Sequence, residues 1–289
     1  MKIKLVILIS IIVYSCNIPA KENLKKPNII FMMSDDHTSQ AWGIYGGVLE
    51  KYAINKNIKR LAAEGVVLEN AFCTNSICVP SRASILTGQY SHKNQVYTLT
   101  DALQPDQPNV AKILSKSGYQ TALIGKWHLK KQPSGFDYFK VLPGQGRYNN
   151  PLLKDIHNWE DGNKGGKVYE GFSSDVIMDE SIKWLDRRDK GKPFMLMTHF
   201  KATHEPFDYP DRFEDLFKGE TLPEPESLLD FYPGKSGRTF EGQILEILAE
   251  RWRSATKAKS NRYPGLPFDT EGLDSIQVRK KTYQKFVKD

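Results

Sequence analysis

Cys78 and Arg82 are a pair of residues whose types and spacing can do chemistry. Cys78 lies just before Pro80, which is favoured in the first turn of a helix, and Gly88 can end that helix as its C-terminal cap. Free N–H groups and the dipole at a helix N-terminus favour an anion or a thiolate at Cys78, and Arg82 can reach back over the same point to hold an oxyanion. The residues alone equally allow a buried structural cysteine, with Arg82 on a solvated face.

Asp35 and Asp36 are adjacent carboxylates that follow the apolar run 28–33. Two carboxylates on one turn can supply oxygen ligands to Ca²⁺, which takes about 6–8 of them. An Asp-Asp pair also occurs as a solvated turn or a helix cap. If the apolar run is a strand of a parallel sheet, the pair lies at the carboxyl end, where open α/β sheets bind ligands.

Lys126 and His128 follow a second apolar segment, 119–124, and are separated by one residue. In an extended chain the side chains at i and i+2 project to the same side, so we expect these two together. Lys126 can hold an anionic oxygen as a point charge, and His128 can move a proton near neutral pH. The alternative is an exposed lysine beside a hydrogen-bonded structural histidine.

Apolar segments alternate with amphipathic ones along the chain, which indicates one α/β domain. Strands are expected at 28–33, 66–72, 119–124 and 193–198, and helices at 55–63, 108–118, 175–187 and around 244–252. The continuous apolar run 28–33 is typical of a strand buried on both faces of a parallel sheet. We therefore predict a mostly parallel central sheet with helices on both faces.

Segment 78–88, Cys-Val-Pro-Ser-Arg-Ala-Ser-Ile-Leu-Thr-Gly, resembles the signature of the formylglycine-dependent (type I) sulfatases. Gly-Lys-Trp-His-Leu at 125–129 and Ala-Thr-His-Glu-Pro at 202–206 resemble further motifs of that family, in the family's order. The resemblance covers about 26–289. It implies an alkaline-phosphatase-like α/β fold and an enzyme that hydrolyses sulfuric esters.

The resemblance also implies the chemistry of the site. A formylglycine-generating maturation enzyme would oxidise Cys78 to 3-oxoalanine (formylglycine), whose hydrate attacks sulfur while one Ca²⁺ ion is held by Asp35, Asp36 and residue 78. His204 would protonate the departing sugar oxygen, and His128 would take a proton from the second hydroxyl. The implied catalytic residues are Cys78, Arg82, Lys126, His128 and His204, and the implied substrate-binding residues are His37, Lys126 and His204.

The N-terminal sequence indicates export. Residues 1–15 are a basic start followed by an apolar run, which predicts a signal peptide. Cys16 resembles the lipidated cysteine of bacterial lipoproteins, so we expect a lipidated tether at 16–26, ahead of a sulfatase N-terminal catalytic domain at 27–289. The expected protein is a periplasmic or cell-surface lipoprotein held to the membrane through Cys16, or a secreted protein if Cys16 is not lipidated.

Charge and composition bear on the partner. The formal net charge of +7 suits an anionic substrate. The chain lacks a Lys/Arg block interleaved with aromatic residues, which is the pattern that would indicate nucleic-acid binding. The segment 142–151 resembles glycan-acting members of the family, so we expect a sulfated polysaccharide or glycan as substrate.

Three alternatives stay open. The family's later Asp-(Asn/His/Gln)-Gly segment has no match after residue 205, so we expect an incomplete domain that also lacks the smaller C-terminal domain. The first alternative to an active sulfatase is an inactive remnant of one that at most binds sulfated glycans. A phosphodiesterase-like hydrolase of the same superfold is disfavoured, because phosphate enzymes use Ser or Thr where this chain has Cys78. A Cys73–Cys78 disulfide would consume the nucleophile.

Overall fold

The computed structural model describes residues 25–53, 55–162, 164–223, 268–269, 271–274, 277, 280–281 and 284. The expected signal peptide, Cys16 and the helix expected around 244–252 therefore lie outside the described residues. The chain divides into two compact units. The first comprises Met1–Asp35 and Cys73–Lys201, and the second comprises Asp36–Phe72 and Ala202–Asp289.

The first unit is built on a six-stranded sheet with the strand order β1-β6-β2-β3-β4-β5. Its strands are β1 (Ile29–Asp35), β2 (Gln120–Lys126), β3 (Tyr138–Leu142), β4 (Leu152–Asp155), β5 (Lys167–Val168) and β6 (Phe194–Thr203). Strand β2 pairs in parallel with β3 and with β6, whereas β4 pairs antiparallel with β3 and with β5. The expected parallel centre is confirmed, with antiparallel strands towards one edge.

Helices cover both faces of this sheet, as predicted. Helix α1 (Lys56–Glu64) belongs to the second unit, and the helices of the first unit are α2 (Cys78–Thr87), α3 (Ser91–Asn94), α4 (Val110–Lys116) and α5 (Ser173–Arg187). Leu123 of β2 is buried in one apolar cluster with Val79 of α2 and Ala111 of α4. Its neighbour Ile124 is buried in a second cluster with Trp184 of α5. Successive side chains of a strand point to opposite faces, so the two clusters lie on the two sides of the sheet.

Strand β1 corrects one expectation. It ends the strand order in the part of the chain that the structure describes, and Ile30 and Met32 are 55% and 53% exposed. The prediction of burial on both faces is therefore wrong for this strand. An unbroken apolar run does not show which place in the sheet a strand takes, and only Asp35 at its end is buried.

The second unit contains α1, which confirms the helix expected at 55–63. The strand expected at 66–72 is absent, and Val66 and Phe72 are 85% and 89% exposed. Beyond residue 203 the described part of this unit contains a short 3-10 helix at Asp211–Phe213. None of the described helices combines the length and the apolar character that crossing a membrane requires.

Candidate functional site

Helix α2 positions both Cys78 and Arg82. It begins at Cys78 itself, after Ile77 in extended conformation, and ends at Gly88, whose φ of 65° is the left-handed conformation of a C-terminal cap. Cys78 is thus the first helical residue and not the last residue of the preceding loop. Arg82 is only 3% exposed, which excludes the alternative that it lies on a solvated face.

Asp35 brings the predicted residues of the first unit together. Its Oδ2 accepts a hydrogen bond from Nζ of Lys126, and its Oδ1 lies 3.4 Å from Nη2 of Arg82. A carboxylate oxygen of Asp35 also lies within 4.8 Å of Sγ of Cys78. The ends of β1 and β2 and the start of α2 therefore converge on one buried carboxylate between two buried cations.

Two residues that were not predicted complete this cluster. Nη1 of Arg82 donates to the backbone oxygen of Lys126 at 2.7 Å and lies 3.3 Å from Nδ1 of His199. Nζ of Lys126 donates to Oε1 of Gln145 at 2.6 Å. His199 lies outside the motif at 202–206, and Gln145 lies in a glycine-rich turn, so neither residue type nor spacing indicates a role for either. Both hold the cations in place.

Gly125 permits the contact between β2 and His199. Gly125 is paired with His199 across the two strands, and its φ is 104°. A Cβ at this position would lie 1.9 Å from the backbone oxygen of His199. The missing side chain is therefore what lets β6 approach β2 next to Lys126.

His128 lies two residues beyond the end of β2, and its backbone is left-handed, with φ 60°. The expected extended geometry therefore holds at Lys126, the last residue of β2, but is wrong at His128. His128 is 8% exposed, and its Nδ1 is buried without a hydrogen-bond partner among the described residues. Burial and the charges of Lys126 and Arg82 lower the pKa of His128 to about 4. At neutral pH the imidazole is neutral and able to accept a proton.

The Cys78 thiol keeps its proton more firmly than an ordinary cysteine. Burial raises its pKa, and so does the charge of Asp35, whereas Lys126 and Arg82 act in the opposite direction. The expectation of a thiolate at the helix N-terminus is therefore wrong for the unmodified residue, which is a poor nucleophile. Cys73 and Cys78 are both free thiols, so the disulfide alternative is absent too.

The remaining predicted residues, Asp36, His37 and His204, belong to the second unit. The backbone oxygen of Asp36 accepts a 3.4 Å hydrogen bond from Oγ1 of Thr203. The ring of His37 stacks on Trp42 at 4.4 Å. His204 is partly buried. Their catalytic and binding roles stay predictions.

The donor atoms can be compared with what Ca²⁺ requires. Asp35 offers the hard carboxylate oxygens that this ion binds, and Asp36 follows it directly in sequence. Cys78 lies beside Asp35 but offers sulfur, which is a poor ligand for a hard cation. The residues therefore fit a Ca²⁺ site in donor type once an oxygen replaces the sulfur at position 78.

Because His128 and His199 are buried, we predict that the free energy of unfolding falls in acid. Burial and the charge of Arg82 lower the pKa of His199 to about 3. Both His128 and His199 bind protons in the unfolded chain below about pH 6.5 but resist them in the folded chain. We expect the free energy of unfolding to fall between pH 6.5 and pH 4.5 by about 2–3 kcal/mol for each histidine.

Urea unfolding at the two pH values measures this loss. The pH dependence should shrink in His128→Gln and in His199→Gln, and it should stay unchanged in His92→Gln, because His92 is exposed. An equal pH dependence in all three variants would show that these histidines are not held neutral.

The chain is similar to one family model and to several known proteins. A family model described as Sulfatase matches residues 27–259. An N-acetylglucosamine-6-O-sulfatase of Bacteroides thetaiotaomicron is 42% identical over 240 residues, which are 82% of this chain and 42% of the relative. An arylsulfatase of Clostridium perfringens is 32% identical over 235 residues, 69% of this chain and 48% of the relative.

Solved structures agree with this comparison. A protein in complex with its substrate, D-glucosamine-2-N,6-O-disulfate, superimposes with a TM-score of 0.69 and is 35% identical. The match covers 91% of this chain and 54% of the other. The chain spans about half the length of the relatives that it matches.

Proposed function

The chain belongs to the sulfatase family, and we propose that it takes part in removing the 6-sulfate of N-acetylglucosamine residues in a sulfated glycan. The observation that carries this proposal is the buried cluster around residue 78. Arg82 and Lys126 bring two positive charges against the single negative charge of Asp35. Among the described residues, these contacts leave the cluster with one more positive than negative charge beside position 78, which suits an anionic group such as a sulfate ester.

The sugar and the sulfate position come from the relatives. The relative that is 42% identical is named an N-acetylglucosamine-6-O-sulfatase, and the ligand of the superimposed structure carries a 6-O-sulfate on glucosamine. The identity between this chain and that structure is 35%, and the superposition includes most of this chain. These similarities support a glucosamine-type sulfate ester as the substrate.

We assign the following roles to the residues of the cluster. Oxidation of Cys78 to formylglycine would supply a hydrated aldehyde as the nucleophile that the protonated thiol is not. A Ca²⁺ ion held by Asp35, Asp36 and residue 78 would neutralise charge on the sulfate oxygens. Arg82 and Lys126 orient the anion beside residue 78, because their positions are fixed by Asp35, His199 and Gln145.

Proton movements fall to the histidines. The imidazole of His128 is neutral at neutral pH, and we propose that it accepts the proton of the second hydroxyl on residue 78. In the second unit, we propose that His204 gives a proton to the departing sugar oxygen and that His37 binds the substrate. Asp36 completes the carboxylate pair.

Sulfate release tests the proposal. The chain is produced with and without a formylglycine-generating enzyme and incubated with N-acetylglucosamine-6-sulfate, and free sulfate is measured by ion chromatography. We expect release only from the chain produced with that enzyme. A phosphate diester serves as the matched control substrate. Its hydrolysis irrespective of maturation would favour the phosphodiesterase alternative, and binding of the sugar without any release would favour the inactive remnant.

A further inference from the structure

A cavity of about 250 Å³ opens in the first unit next to His128. It is lined by aromatic, basic and small residues, among them Trp127, His128, Lys130, Pro143, Lys154 and Trp159. None of its lining residues is acidic. The cavity thus combines flat apolar surfaces with positive charge, and the role proposed for the cluster at position 78 does not account for it.

Lys154 fixes one wall of the cavity. This lysine is fully buried, and its Nζ donates to the backbone oxygens of Glu160 at 2.6 Å and of Gly162 at 2.7 Å. The ammonium group also lies 5.1 Å from the centre of the Trp159 ring. Lys154 therefore ties the turn 159–162 to β4, and two of the three N–H groups of its ammonium are engaged by these carbonyls.

Trp159 is held in one orientation. Its ring packs edge-on against Phe139 at 6.0 Å, and its Nε1 donates to Oδ1 of Asp161 at 3.1 Å. The other carboxylate oxygen of Asp161 pairs with Nζ of Lys131 at 2.9 Å. The carboxylate of Asp161 is thus bound to Trp159 and Lys131, and these contacts hold the indole in place without a ligand.

The cavity adjoins the cluster around residue 78 at two points. His128 lines the cavity, and the charges of Lys126 and Arg82 in the cluster lower the pKa of its imidazole. Pro143 lines the cavity as well, and two residues further on Gln145 contacts Nζ of Lys126. His128 therefore belongs both to the lining of the cavity and to the surroundings of the cluster.

We propose that this cavity, which we call the Trp159 cavity, is a subsite for a second anionic group of the glycan. The sugar ring that bears this group packs on the indole of Trp159, and the anion, a sulfate or a carboxylate, is attracted by Lys130 and Lys154. Aromatic faces suit the apolar side of a pyranose ring, and Lys130, an exposed lysine that lines the cavity, suits a charged substituent. The inference rests on the proposed function for the nature of the ligand, but binding can be measured without turnover.

Titration calorimetry on the Cys78→Ala chain tests the subsite, because this variant cannot consume a ligand through residue 78. The ligands are N-acetylglucosamine-6-sulfate, D-glucosamine-2-N,6-O-disulfate, and a disaccharide that joins N-acetylglucosamine-6-sulfate to glucuronic acid. We expect a ligand with a second anion to bind about 10- to 100-fold more tightly, the range for charged hydrogen bonds. If the disulfate binds more tightly than N-acetylglucosamine-6-sulfate, the subsite is assigned to sulfate. If the disaccharide binds more tightly, the subsite is assigned to carboxylate.

Variants locate the gain in the Trp159 cavity. Lys130→Ala removes an exposed side chain and should abolish most of the increase in affinity that the second anion gives. A folded Lys154→Met variant should lose the same increase. Lys116→Ala, an exposed lysine on α4, is the matched control and should keep the gain. Equal affinities for all three ligands, or a gain that survives in Lys130→Ala, would overturn the subsite.

The two proposals fail in different ways. A gain that depends on Lys130, in a chain that releases no sulfate after maturation, keeps the subsite and rejects the proposed reaction. Sulfate release in a chain without any gain from a second anion keeps the reaction and rejects the subsite.

Discussion

Asp35→Asn should lower the free energy of unfolding by about 3–5 kcal/mol, the range for breaking a buried ion pair by removing one partner. The substitution keeps the shape of the side chain but removes the only negative charge that contacts both Arg82 and Lys126 among the described residues. Both cations are buried, and burial already lowers the pKa of each. Without the carboxylate the two buried cations repel each other with no opposite charge between them.

A surface carboxylate provides the matched control for this loss. Asp161 pairs with Lys131 at 2.9 Å, but both side chains are exposed, so Asp161→Asn should cost about 0–1 kcal/mol. Urea unfolding of the two variants at pH 7 gives the comparison. Equal losses would mean that Asp35 does not hold the cluster together, and the fixed positions of Arg82 and Lys126 would need another cause.

Cys78→Ala should reduce sulfate release from the matured chain by about 10⁴-fold or more, as expected when a nucleophile is removed. No other described side chain is assigned an attacking role in the proposed site. Arg82, Lys126 and His128 would remain in place, because none of them forms a hydrogen bond with the Cys78 side chain. The variant should therefore lose turnover while it retains its fold.

Cys73→Ala is the matched control for Cys78→Ala. Cys73 lies five residues earlier, is exposed and carries a free thiol. The Cys73→Ala variant should keep sulfate release within a factor of about two of the unsubstituted chain, because substitutions of exposed residues away from a site change little. Equal loss in both variants would point to a general defect in folding or maturation, and full activity in Cys78→Ala would remove residue 78 from the mechanism.

The sequence was sufficient to predict where the polar side chains gather. Asp35 and Lys126 end two apolar segments, and residues at the carboxyl ends of strands in one sheet share an edge. Helix α2 was predictable from Pro80 and Gly88, although it begins at Cys78 and not after it. The comparison with known proteins confirms the family that these motifs resemble.

Properties that depend on packing could not be predicted from these rules. The helix N-terminus favours a thiolate at Cys78, but burial and Asp35 outweigh it, and neither is visible in the local sequence. The left-handed backbone at His128 likewise departs from simple alternation. The segment that contains Gln145 does not reveal its contact with Lys126, because that contact depends on the turn that places its amide against Nζ of Lys126.

The exposure of β1 has a similar explanation. The run 28–33 correctly predicted a strand, since branched and large apolar residues favour extended chain. Its place at the end of the described strand order depends on which segments pair with it, and composition does not determine that. Predictions of strand position from apolar content are therefore weaker than predictions of strand existence.

Mass spectrometry of the tryptic peptide 61–82 tests the central claim most directly. This peptide contains both Cys73 and Cys78, so one residue serves as the control for the other. In the chain produced with the formylglycine-generating enzyme, we predict an aldehyde at residue 78 and an unmodified thiol at residue 73. Thiols at both positions would contradict the account, because the protonated Cys78 would then have no route to becoming the nucleophile.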